Sequence, residues 1–143
     1  MFIKNVEYDG YFWNFIPEFE KGDARECFPP IRCWQLGFFG YISRKTLLKA
    51  KQEAIWLIEN IDEYINKSKA YAIAIGKEIF RGEIIHPESV HRWRLERVHL
   101  SSNRNFGQGC FSLSFVDPEE PDYLLHQWGV AFKNFTPDNI GKD

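Results

Sequence analysis

The side chains with the widest chemical repertoire in this chain are its histidines and cysteines, and their spacing matches no known site. Cys27 and Cys33 are separated by five residues, which fits neither a zinc motif nor a redox motif. On one extended strand His91 and His99 would share a face but lie about 26 Å apart, too far for joint metal ligation. The other members of the two sets are His86, His126 and Cys110. We therefore predict no metal site and no cofactor.

Phosphate-binding and nucleophile motifs are also missing from the sequence. Gly107-Gln108-Gly109 has neither the third glycine nor the following lysine of a phosphate-binding loop, and it is interpreted as the lead-in to a strand. A nucleophilic Cys110 would need a positioned base, and its sequence neighbours Gly109 and Phe111 offer none. These absences favour a protein that is not an enzyme and has no small-molecule substrate.

Two other functions stay open. A small cytosolic enzyme could assemble a pocket from residues distant in the chain, such as His91, Glu96 and His126. An RNA-binding sheet could use Arg92, Trp93 and Arg94, because arginine and aromatic side chains bind single-stranded nucleic acid by phosphate contact and stacking. On a strand, however, Glu96 would share the face of the two arginines, and the net charge of the chain is −2. We therefore expect no nucleic acid as a partner.

The most acidic stretch lies between residues 117 and 122. It has four carboxylates and no basic residue, and two prolines restrict its backbone. The carboxylates are Asp117, Glu119, Glu120 and Asp122. Such a turn is either simply solvated or is an anionic patch that meets a basic protein surface and speeds association. We predict the second, with the acidic loop at 18–26 as the next candidate.

Aromatic residues make up 17% of the chain, more than a small core easily hides. Tyr11 and Trp13 alternate on a predicted strand, and Phe38 and Phe39 lie between two glycines in a predicted bend. Because exposed rings are enriched at the centres of interfaces, we predict these four residues as apolar anchors for a protein partner.

Periodicity predicts the secondary structure around these residues. Alternating patterns on either side of Asp9-Gly10 predict a hairpin with a type I′ turn. A stripe of apolar residues with helical spacing predicts one long amphipathic helix over about 43–67. Residues 70–75 fit a strand or a helix equally well.

Further strands are predicted over 31–41, 92–100, 110–116 and 123–135. Their alternation favours antiparallel pairing, since parallel strands buried on both faces show continuous apolar runs. We therefore predict a single α+β domain over 1–143, a mainly antiparallel sheet packed against one long helix. No segment is apolar enough for a bilayer span or a signal peptide, so the expected location is the cytoplasm and no membrane partner is expected.

The aromatic strands, the acidic segments and the missing catalytic residues together carry a resemblance. Tyr11-Phe12-Trp13 and the segment 127–135 are typical of its strands. In character the chain resembles small bacterial immunity proteins, the cytosolic inhibitors of secreted nuclease toxins. The resemblance implies a one-to-one complex with a basic toxin domain.

Overall fold

Strands and helices alternate in blocks along the chain. The computed structural model describes residues 2–23, 31–34, 43–76, 84–100, 106–121 and 126–142. The described elements are β1 Phe2–Tyr8, β2 Phe12–Glu18, β3 Ile31–Trp34, α1 Arg44–Glu59, α2 Ile61–Ile75, α3 Pro87–Arg92, β4 Arg94–Leu100, β5 Phe111–Val116, β6 Trp128–Lys133 and β7 Thr136–Lys142. The predicted α+β class is confirmed.

The strands form one seven-stranded sheet in the order β1-β2-β3-β4-β5-β6-β7. Neighbouring strands are antiparallel except β3 and β4, which are parallel. A parallel pair needs a crossover connection, and α1, α2 and α3 lie between these two strands in the sequence. The helical block is therefore the link that joins an N-terminal and a C-terminal antiparallel half.

The helical region differs from the single long helix predicted over 43–67. Helix α1 ends at Glu59 and α2 begins at Ile61, so the predicted single helix is wrong. The break lies at Asn60, whose side-chain amide donates to the Trp56 carbonyl at 2.8 Å. Asparagine side chains compete in this way with the helical hydrogen-bond ladder. The second helix continues to Ile75, which decides the open assignment of 70–75 in favour of helix.

Two strand boundaries predicted in the C-terminal half also differ from the structure. Pro87–Arg92 is a short helix, so His91 lies on α3 and not on the strand that follows. The strand predicted over 123–135 is shorter, and Asn134 and Phe135 form a turn with φ values of 53° and 63°. The chain then returns as β7, which lies beyond the last predicted strand.

At the predicted hairpin, β1 and β2 pair as expected, but the turn is of another type. Gly10 has φ of 98°, while the Asp9 carboxylate accepts from the backbone amides of Tyr11 and Phe12 at 2.9 and 2.8 Å. A type I′ turn would need positive φ at both central residues. Asp9 instead fixes the turn through its side chain.

One row of paired residues crosses the sheet and forms the centre of the core. Val98 pairs with Leu113, Leu113 with Val130, and Val130 with Ile140. These four side chains are buried, and so is Phe15, at the corresponding position on β2. The helices cover this face of the sheet, as the ring contacts of Tyr64 on α2 with Phe111 and Phe132 show. Residues that alternate with this row lie on the opposite face.

Strand direction places the loops at two opposite ends of the sheet. We call one the upper end, with the turn at 9–11, residues 106–110 and the turn at 134–135. The other is the lower end, with α3 leading into β4 and the turn at 117–121. In the described part of the chain, no helix is long and apolar enough to cross a membrane.

Candidate functional site

A pocket of about 410 Å³ opens at the upper end of the sheet. Helix α1 forms one wall, and the opposite wall comes from the segment before β5 and from the β6–β7 turn. The lining residues are Lys49, Gln52, Glu53, Trp56, Phe106, Gly107 and Phe135. Three of the seven are aromatic, so the pocket is a largely apolar cleft with a few polar groups, the usual character of a ligand site.

Among the described lining residues, Glu53 is the one carboxylate, and it is almost fully withdrawn from water. Its residue is 5% exposed, and neither carboxylate oxygen has a hydrogen-bond partner. Burial raises its pKa from 4.5 to about 7, because desolvation penalises the charged form. The nearby Gly107 backbone amide opposes that rise in pKa, although it does not reach hydrogen-bond geometry. An unpaired buried carboxyl of this kind is costly and calls for a functional explanation.

The helix itself places Glu53 on the core side. Ala50, Ala54 and Leu57 are fully buried, and Glu53 follows Ala50 by three positions and precedes Leu57 by four. Residues at these spacings lie on one helix face. Glu53 was not predicted as a site residue, because charged residues of an amphipathic helix are expected on its solvent face and Lys49 and Lys51 are neighbours in sequence. The spacing from Ala50 and Leu57 was the signal that could have identified it.

A strained turn holds the opposite wall. Phe135 has φ of 63°, which is unusual for a bulky residue, and its backbone amide donates to the Gly109 carbonyl at 3.1 Å. This conformation brings the Phe135 ring against Trp56, with centroids 5.3 Å apart and an interplanar angle of 74°. Backbone strain of this kind persists where surrounding structure over-determines it, and it clusters at ligand sites.

The predicted acidic turn lies at the lower end and is paired internally. Asp117 is 2% exposed and accepts from Arg92 at 2.8 and 3.1 Å and from Ser89 at 2.7 Å. These hydrogen bonds, that of Arg92 above all, lower the pKa of Asp117 to about 2. Arg92 also contacts Glu119 at 3.2 Å. The fold therefore supplies from α3 the positive charge that the turn lacks in sequence.

Glu120 has a similar partner on β7. Its carboxylate accepts from Lys142 at 3.0 Å, and the Lys142 ammonium lies 4.9 Å from the centroid of the Trp128 ring. These three residues and Ser89, His86, Ile84 and Ile85 line a second pocket of about 300 Å³. Of the predicted acids, Glu119 is the most exposed, with 72% of its side chain accessible. Asp122 lies outside the described residues.

Two of the four predicted aromatic anchors, Tyr11 and Trp13, are at the upper end. Tyr11 is 76% exposed in the hairpin turn, and the half-buried Trp13 ring stacks on Tyr8 at 5.2 Å. Phe38 and Phe39 lie outside the described residues. Among the described residues, the structure thus places Tyr11 and Trp13 at one end of the sheet and Asp117, Glu119 and Glu120 at the other, and does not bring them together.

The residues of the two open alternatives line neither of these two pockets. Trp93 is 4% exposed and stacks between Phe115 and Trp128, so its ring offers no face to a base. His91, Glu96 and His126 line neither of the pockets described above. Within the described ranges, no group of three or more histidine, cysteine, aspartate or glutamate side chains is placed to hold a metal ion. Searches for similar protein families, curated proteins and solved structures found no match.

Proposed function

We propose that this protein acts by binding a basic protein partner, as an inhibitor that forms a one-to-one complex in the manner of the toxin-neutralising immunity proteins it resembles. The observation that carries the proposal is the exposed aromatic surface of the β1–β2 hairpin. Tyr11 projects from the turn with 76% of its surface accessible, beside the stacked pair of Tyr8 and Trp13. Tyrosine and tryptophan are the residues that most often anchor protein interfaces.

The charge of the same hairpin supports a basic partner. Residues 2–23 contain two lysines and five carboxylates, a net charge of −3 (2 − 5). The carboxylates are Glu7, Asp9, Glu18, Glu20 and Asp23. Glu7 and Asp9 lie near the exposed rings, and the other three carboxylates follow at the opposite end of β2. The net negative charge of the hairpin attracts a cationic protein by complementary potential, and the rings retain it by apolar contact.

The acidic turn at 117–121 contributes less to this surface than its composition suggests. Asp117 is held by Arg92, and Glu120 is held by Lys142. Charges that are already paired inside the chain attract an external cation weakly, because the partner meets a nearly neutral group. We therefore shift the main contact surface from this turn to the hairpin. The proposed place of action is the cytoplasm, since the three cysteines show no pattern of disulfide pairing.

The test is co-expression with the protein encoded beside this one, which the proposal expects to be a basic toxin. The chain should restore growth to cells that produce the toxin, and light scattering should show one copy of each protein in the complex. Tyr11→Ala should speed dissociation, because an exposed ring buried on binding acts on the off-rate. Ile84→Ala is the matched control, an exposed apolar residue at the lower end.

Charge reversal separates the two acidic surfaces. Changing Glu18 and Glu20 together to lysine should slow association several-fold at low salt, and Glu119→Lys should change the association rate far less. An unchanged growth rescue and unchanged kinetics for all hairpin variants would contradict the proposal.

A further inference from the structure

We infer that the Glu53 pocket binds a cationic side chain, a lysine or arginine that the basic partner inserts beside the Trp56–Phe135 ring pair. The identity of the carrier rests on the proposed function, whereas the preference of the pocket for a cation does not.

The first reason is the unsatisfied carboxylate. Both oxygens of Glu53 are buried and lack partners, although the residue lines an open pocket. Buried acceptors in folded proteins are nearly always paired with protein, water or ligand donors. A guest with two or more N–H groups would satisfy both oxygens, and an arginine guanidinium does so with two parallel hydrogen bonds.

The second reason is the chemistry of the walls. Trp56, Phe106 and Phe135 surround the carboxylate, and aromatic faces attract cations through their quadrupole. The same rings cover the alkyl part of a long side chain. An anionic guest would meet the carboxylate and the negative ring faces, so the lining favours an ammonium or a guanidinium.

The third reason is the position of the pocket. It opens at the upper end of the sheet, the end that also carries the Tyr11 turn. The hairpin and the pocket are separated by about five strand spacings of about 4.8 Å, a span of roughly 24 Å. A standard interface of about 800 Å² per partner is wide enough to cover both.

Lys49 is a feature of the pocket that disfavours a cationic guest, and its effect can be tested separately. Among the described residues that line the pocket, it is the one other ionisable side chain; it is exposed and bonds to neither Glu53 oxygen. A guest cation would be repelled by Lys49 at the mouth, although solvent screens that repulsion. Lys49→Gln should therefore strengthen cation binding two- to threefold.

The affinity should also depend on pH with a defined sign. A cation binds the ionised carboxylate, and the pKa of Glu53 in the free protein is about 7. At pH 6 about a tenth of the molecules carry the charge, and at pH 8 about nine tenths do. The apparent affinity should therefore rise about tenfold from pH 6 to pH 8 and then level off, because ionisation is complete.

The experiment titrates the isolated chain with N-acetyl-arginine amide and, as the matched neutral probe, N-acetyl-citrulline amide. Binding is followed by the indole N–H resonance of Trp56. Saturable binding of the arginine probe in the range of about 1–10 mM is expected, with at least tenfold weaker binding of the citrulline probe. Glu53→Gln should abolish the difference between the probes, and Glu59→Gln, an exposed glutamate of the same helix, should preserve it.

The outcomes are distinct from those of the proposed function. Equal binding of the two probes, no saturation by either probe, or an unchanged preference in Glu53→Gln would overturn the inference. Unfolding cannot explain a loss in that variant if its melting temperature is at or above that of the parent. Should Glu53→Gln keep full affinity for the toxin while Tyr11→Ala loses it, the inference fails and the proposed function stands. Should the arginine probe bind as expected while no partner is inhibited, the preference of the pocket for a cation stands and the proposed function fails.

Discussion

At the scale of single residues, the described part of the chain contains two buried carboxyls in opposite electrostatic environments. Asp117 has an arginine, a hydroxyl and a backbone amide as donors, and its pKa is lowered to about 2. Glu53 has no donor in hydrogen-bond geometry, and its pKa is raised to about 7. The first is a satisfied structural group that stays ionised. The second lowers the stability of the fold when it ionises, and costly buried groups of this kind are typical of functional positions.

That cost can be measured through pH. The folded protein holds the Glu53 proton more tightly than the unfolded chain does, so its ionisation destabilises the fold as pH rises from 4.5 to about 7. Glu53→Gln removes the ionisable group. Its free energy of unfolding should equal that of the parent near pH 4 and exceed it by about 2 kcal/mol at pH 8, a value reduced to allow for solvent in the pocket.

Urea denaturation at both pH values, with Glu59→Gln as the control, checks this expectation. A constant difference between variant and parent across the pH range would mean that Glu53 titrates normally.

At the scale of elements, the segment before β5 contributes to one wall of the pocket and contains two glycines with positive φ. Gly109 has φ of 71°, and a Cβ atom there would lie 2.4 Å from the Phe135 backbone nitrogen. Gly107 also has positive φ, 84°, but a Cβ atom there would meet nothing within 4 Å. Glycine is therefore required at position 109 for both space and backbone conformation, whereas at position 107 only the backbone conformation requires it.

Alanine at each position tests this difference. Gly107→Ala should lower the free energy of unfolding by about 1–2 kcal/mol, the usual cost of a left-handed backbone for an L-residue. Gly109→Ala should cost about 2 kcal/mol more, because backbone and a strained turn must move. Thermal unfolding of the two variants side by side gives the comparison, and equal losses would show that Phe135 gives way freely.

Local signals explain which elements could be predicted. Asp9-Gly10 between two alternating segments identified the first hairpin, and the alternation of residues 111–116 identified β5. The break at Asn60 has no such signal, since the apolar stripe runs on through Ile61 and only the side-chain bond to Trp56 shows it. Strand β7 could not be recognised from its own residues, which include Pro137. It is a strand because it pairs antiparallel with β6.

The candidate site was less predictable than the fold. The walls of the Glu53 pocket come from three separate segments, and only tertiary packing brings them together. The acids of residues 117–121 were visible in the sequence, but their cations are distant: Lys142 belongs to β7 and Arg92 to α3. Sequence composition cannot show whether a charge is already paired by a distant residue.

At the scale of the whole molecule, β4 holds the two halves of the sheet together. It pairs with β3 on one side and β5 on the other, whereas β1 and β7 are edge strands with one neighbour each. Opening β4 separates the halves, so its amides should exchange with solvent only through global unfolding. Edge strands should exchange by local fraying at lower free energy.

Native-state hydrogen exchange at low denaturant concentrations measures this order directly. The amides of Val98 and Leu100 should exchange with the free energy of global unfolding, and those of β1 with a smaller one. Slower exchange in β1 than in β4 would contradict the central role assigned to the parallel pair.

The same parallel pair has a consequence for how the protein is made. A ribosome delivers β1, β2 and β3 well before β4, because all three helices are encoded between β3 and β4. At about 5–20 residues per second, the interval between these two strands is roughly 3–12 s. During that interval the nascent β3 has an open edge that only β4 can close in the native fold, and open edges recruit other strands. Pairing of this edge with a foreign strand is therefore a hazard of the interval before residues 94–100 emerge.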